Sequence, residues 1–178
     1  MKWLIDRLIA REERRFGVPL PHLRALADSS LAGFFKLLLL APIGNHRRHA
    51  PSDAWHVARV AATLAEDCGA CAQIALYYAH RDGIATEVLR AAADGDANRL
   101  SPGLRDVMAF ADAIARGHDA PELRERLAGR YGEPAVVELS VAIALARFFP
   151  AFKRALGHSH ACHVQPVSIA SPSGVPLR

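Results

Sequence analysis

A chain of 178 residues, 51% of them apolar or aromatic, is long enough for one domain with a sizeable core. Abundant alanine with only 7% aromatics favours close-packed helices over a sheet, so the expected fold class is all-α. The formal charge of +4, from 22 basic and 18 acidic residues, is scattered without a basic stripe and interleaved aromatics, which argues against a nucleic-acid partner.

In chain order, Lys2 to Phe16 has the spacing of an amphipathic helix closed by Gly17, Pro19 and Pro21. Its apolar residues are interrupted by Asp6 and Arg7, unlike a signal peptide, so a cytoplasmic location is expected. Leu23–Ala27 and Leu31–Leu40 continue as helices. The apolar run from Leu31 to Ile43 contains Lys36 and is shorter than the roughly 18–20 residues of a membrane span, so no membrane partner is expected. Ala41 to Pro51 reads as a loop, with Ser52 or Asp53 capping a helix over about Ala54–Glu66. Asp67-Cys68-Gly69 then changes the chain direction, and Gly69–His80, apolar nearly all round, reads as a buried helix. Ala85–Ala93, Gly103–Arg116 behind Ser101-Pro102, and Pro121–Arg130 follow as helices. Pro134 opens a long apolar helix that Pro150 is expected to kink or end. The organisation predicted is a helical extension over residues 1–50, a helical core over 51–156 and a flexible tail over 157–178.

Chemistry concentrates at Cys68-Gly69-Ala70-Cys71. Two cysteines separated by two residues at a helix N-terminus can close a small disulfide, and the free N–H groups and helix dipole there favour a thiolate. One sulfur can attack while the other resolves the mixed disulfide or sulfenic acid that results. Structural zinc commonly uses four ligands, and only Cys162 remains, far downstream. The bland alternative is a pair of small buried residues packing a helix start.

The segment Glu66-Asp67-Cys68-Gly69-Ala70-Cys71-Ala72-Gln73-Ile74, followed by Gly83-Ile84 and a short helix, resembles the alkylhydroperoxidase D (AhpD)-like, carboxymuconolactone decarboxylase family over about residues 50–120. That resemblance implies an AhpD-like helical bundle, a homo-oligomer, and reduction of a peroxide or disulfide substrate at the thiol pair with electrons from a dithiol donor. The position of the family's proton-relay glutamate is held by His56, that of its histidine by Ala75, and that of the tyrosine between its cysteines by Ala70. Cys71 is the attacking sulfur by the family pattern, whereas placement at the helix end favours Cys68.

The candidate catalytic set is Cys68, Cys71, His56 and Glu66, with no cofactor and no metal. Glu66, beside the first cysteine, reads either as a proton acceptor or as a helix-end polar residue. Tyr77 and Tyr78 read as packing residues. His46 and His49 around Arg47-Arg48 read as a solvated basic loop. His158, His160, Cys162 and His163 read either as a metal-binding cluster or as a histidine-bearing tail. The leading function is a thiol-disulfide oxidoreductase or peroxidase-like protein; the alternative is a non-catalytic helical oligomer that binds a ligand and keeps a structural thiol pair.

Overall fold

A computed structural model describes residues 2–162 and contains helices and turns, with no strand among the described residues. Helix α1 (Lys2–Phe16) turns a narrow apolar stripe inward through Ile5, Ile9 and Phe16. Helix α2 (Pro21–Ser29) starts on a proline, where the missing N–H would have had no partner. Ser30 ends it and caps α3 (Leu31–Leu38), its hydroxyl accepting from the Gly33 N–H at 3.0 Å. The loop expected from Ala41 begins later, because α4 (Leu40–Gly44) adds a further turn. Pro42 sits in the first turn of that helix and so breaks no hydrogen bond.

Helix α5 (Ser52–Ala65) starts two residues before the expected boundary. Its N-cap is Pro51, and the Asp53 carboxylate accepts from the Ala54 N–H at 2.7 Å instead of serving as the cap. Nine of its fourteen residues are buried, which makes it the axis of the fold. Around it pack α6 (Gly69–Arg81), α7 (Thr86–Asp94), α8 (Pro102–Ala115) and α10 (Glu133–Ala155), with α9 (Pro121–Tyr131) wedged between α8 and α10. Ala54, Ala58, Ala62, Ala72, Ala79 and Ala111 are completely buried. A methyl side chain at each contact lets neighbouring backbones approach closely, which is why an alanine-rich, aromatic-poor sequence makes this bundle. The expected cap of α8 is present, with Ser101 Oγ accepting from the Leu104 N–H at 3.5 Å.

The apolar residues form two main cores. The larger joins α5 to α10; the smaller joins Ile5, Ile9, Phe16, Val18, Leu20 and Phe34 to the outer side of α6 through Ala70. Cys68, Cys71 and Phe149 form a separate small cluster. Pro150 neither ends nor replaces the last turns of α10, which runs on to Ala155. Its side chain is fully buried, and that packing outweighs the roughly 3 kcal/mol a proline costs inside a helix. Continuation past Pro150 is what brings Lys153 over the start of α6. By length and apolar composition α10 is also able to cross a membrane, although 44% of its most apolar stretch is buried inside this fold. The tail begins with a short 3₁₀ turn, Ser159–Cys162, against α6 and α10. His163 and the rest of the expected tail lie outside the described residues.

Candidate active site

The turn from α5 to α6 is tight. Asp67 takes the left-handed conformation (φ +50°), which aspartate tolerates better than most residues, and its N–H bonds the Leu64 carbonyl at 2.9 Å. The Cys68 N–H then reaches the Thr63 carbonyl at 3.3 Å. Cys68 is therefore the N-cap of α6, and Cys71 stands one turn in, both buried and not joined in a disulfide. Here the sulfurs feel the positive end of the helix dipole.

The decisive neighbour comes from the far end of the chain. Lys153 Nζ lies 3.2 Å from Cys71 Sγ and 3.8 Å from Cys68 Sγ, and the lysine is 1% exposed. A buried ammonium needs an anionic or accepting partner, and in this place the partners are the two sulfurs. The Cys71 thiol is pushed up, first by its hydrogen bond with Cys68 and then by burial, while the Lys153 charge opposes both. A pair of this kind gives up one proton readily and holds the second, since two adjacent thiolates repel each other. Such a pair carries at most one negative charge, and the Lys153 ammonium stands beside both sulfurs.

Cys71 and Lys153 also open onto a cavity of about 270 Å³ between the N-terminal helices and the core. Cys71, Ile74, Ala75 and Tyr78 line it from one face of α6, at positions i, i+3, i+4 and i+7. Phe149 and Lys153 line it from α10. Leucines of α2 and α3 close it on the other side. Cys68 lies outside this lining, so Cys71 is the sulfur that faces the cavity.

His22 of α2 lines the same cavity, 2% exposed, with its Nδ1 buried and unpartnered and its ring edge-on to Phe152 at 6.4 Å. Burial, helped by the charge of Lys153, lowers its pKa to about 3, so it is a neutral imidazole at pH 7.

The other two predicted catalytic residues stand elsewhere. His56 is fully buried beside Trp55, its Nε2 3.1 Å from Asp82 Oδ2, and no hydrogen bond links it to either sulfur. Burial lowers its pKa to about 4 despite the Asp82 carboxylate. Glu66 turns away from the cysteines to Arg147 (2.8 Å) and Arg154. Burial pushes its carboxyl up, and the two guanidinium bonds outweigh that and hold it below the usual range. His56 therefore braces α5 against the end of α6, and Glu66 ties the α5–α6 turn to α10.

Sequence reading missed Lys153, His22 and Arg59. A signal for the first exists: only three of the 22 basic residues are lysines, and one of them falls in the apolar helix after Pro150. Lysine, unlike arginine, is compact and adapts its protonation to burial. Among the described residues no cluster of histidine, cysteine and carboxylate side chains is arranged to hold a metal ion. His46, Arg47, Arg48 and His49 are exposed, as expected of a solvated basic loop, while buried Glu138 holds the backbone by accepting from the N–H groups of Arg48, His49 and Ala50 at 2.8–2.9 Å. Tyr77 and Tyr78 pack on Phe16, and Arg15 Nε donates to the Tyr77 hydroxyl at 2.9 Å. Comparisons with protein-family models, curated proteins and solved structures find no match to this chain.

Proposed function

We propose that the protein is a thiol-disulfide oxidoreductase that reduces a peroxide or disulfide at Cys71, with Cys68 as resolving sulfur and Lys153 as their shared cation. The observation that carries this reading is Lys153 Nζ within 3.2 and 3.8 Å of the two sulfurs, at the wall of a cavity that only Cys71 of the pair lines. Two structural thiols in an apolar seam have no need of a buried lysine, since burying a charge is costly and packing alone is satisfied by neutral side chains.

With a hydroperoxide, the Cys71 proton passes to Cys68, and the Cys71 thiolate attacks the terminal oxygen. An S–O bond forms, the O–O bond breaks, and the alkoxide takes the Cys68 proton to leave as alcohol, so that Cys68 becomes the thiolate. The Cys68 sulfur then attacks the Cys71 sulfenic acid, forming the disulfide and releasing hydroxide, which the ammonium protonates to water. Two thiols and one peroxide become one disulfide, one alcohol and one water. A dithiol donor restores the pair by exchange. Lys153 replaces in this scheme the carboxylate and histidine relay that the AhpD-like resemblance would supply, and His22 offers a second, neutral proton acceptor at the cavity.

The AhpD-like fold itself, self-association and a cytoplasmic location are part of the same proposal. Exposed Trp3, Leu4, Leu8 and Leu39 on the N-terminal helices support self-association, since apolar side chains of this size favour a covered surface. The test is peroxide consumption driven by dithiothreitol. Wild type should turn over, Cys71→Ser should be inactive, and Cys68→Ser given peroxide without dithiothreitol should stop at a Cys71 sulfenic acid. Turnover that survives Cys71→Ser overturns the proposal.

A further inference from the structure

The cavity that Cys71 lines carries a second cation. Arg59 of α5 lines it, and among the described residues its guanidinium makes no hydrogen bond and no ion pair. It lies over the Trp55 ring at 4.5 Å, a contact that fixes the guanidinium plane and leaves its five donors unused. Burial lowers its pKa, against the pull of Tyr78 and Asp82. Arg59 is half-buried, and with no anion paired to it a bidentate carboxylate is the partner that its geometry fits.

The neighbouring carboxylates are engaged. Asp82 accepts from His56 and Arg81, and Glu12, at the cavity wall, pairs with Arg15 at 3.4 Å. Lys153 is committed to the sulfurs. Arg59 is thus the cation of this cavity that is open to a ligand. The apolar part of the cavity lining includes Phe16, Leu23, Leu37, Ile74, Leu145 and Phe149.

We infer that this cavity binds an apolar monocarboxylate of about ten non-hydrogen atoms, its carboxylate on Arg59 and its far end at Cys71. The size follows from the volume: about 150 Å³ accommodates benzene, and this cavity holds about 270 Å³. The length agrees, because Tyr78, next to Arg59, and Cys71 are seven residues apart on α6, about 10 Å along the helix. A charged group at one end and an apolar stem between also set where the reducible group must be, at the end of the chain distant from the carboxylate. That last step rests on the redox reading; binding of the carboxylate does not.

The experiment uses octanoate and 1-octanol, which share the apolar chain and differ in the charge. Trp55 reports directly, since it stacks on Arg59; Trp3→Phe removes the other tryptophan, which is 64% exposed. Octanoate should bind at least about tenfold more tightly than octanol, the range of a hydrogen bond to a charged group. Arg59→Met should remove that preference while octanol binding stays within about threefold, and Lys153→Met should retain it. The same preference is expected in the Cys68→Ser/Cys71→Ser double variant, so a failure of peroxide chemistry leaves this result standing. Equal affinity for the two ligands in wild type, or no binding of either, overturns the inference without any appeal to a variant. So does a preference that survives Arg59→Met.

Discussion

Replacing Lys153 by methionine separates the stability of this site from its reactivity. The ammonium lies 3.2 Å from Cys71 Sγ and 3.8 Å from Cys68 Sγ. At an effective dielectric of about 20, opposite unit charges near 4 Å attract by about 4 kcal/mol, and 1.36 kcal/mol corresponds to one pH unit in a pKa. That sets a ceiling of about three pH units, and water entering the cavity lowers it, so the first ionisation of the pair should rise by about two pH units in Lys153→Met. Stability should change much less, since the thiol pair takes back its proton once the ammonium is gone and leaves no uncompensated buried charge. The assay is the alkylation rate against pH, with the label located by mass spectrometry and unfolding followed in urea on the same samples. Lys153→Arg keeps the charge and should keep the wild-type midpoint. A Lys153→Met protein whose alkylation midpoint matches wild type would refute the electrostatic role.

The remaining expectations concern the frame around the site. Glu138→Gln should cost about 2–3 kcal/mol in chemical unfolding, because a carboxylate that burial raises and three backbone N–H groups lower to about 2 is replaced by a weaker, neutral acceptor. The same change should expose the amide groups of Arg48, His49 and Ala50 to hydrogen exchange. Between about pH 6.5 and 4.5 stability should fall with acid: His22 and His56 have folded pKa values near 3 and 4, so the unfolded chain binds protons first. Each histidine contributes a slope of at most about 1.4 kcal/mol per pH unit in that window, and His22→Asn should flatten the curve. His56→Asn and Glu66→Gln should lower Tm yet leave the alkylation midpoint within about 0.3 pH unit of wild type; a larger change would return those residues to the chemistry.

How much of this was readable from the residues depends on the range of the interaction. Ser101-Pro102 opens α8 as expected, because an N-cap is a contact between residues three apart. Cys68 at the start of α6 follows the same logic, as the glycine after it and the polar residues before it mark the break. Pro150 does not end α10, because its helix-breaking cost is local whereas the packing that overcomes it comes from distant elements. Lys153 meets cysteines 82 and 85 residues earlier, and Glu138 meets a loop about 90 residues earlier. No spacing rule connects such positions. His56 shows the converse: a histidine on the expected helix was easy to find, but only the tertiary fold shows that its ring is held by Asp82.

Oxidation of the thiol pair in the folded protein is the most direct test of its redox role. Fully reduced protein is treated with one equivalent of cumene hydroperoxide at pH 7, quenched with an alkylating agent, and mapped by peptide mass spectrometry. The predicted product is a single Cys68–Cys71 disulfide formed in the folded protein, with Cys162 still alkylated. Cysteines 68 and 71 that remain reduced until the protein is unfolded would contradict it.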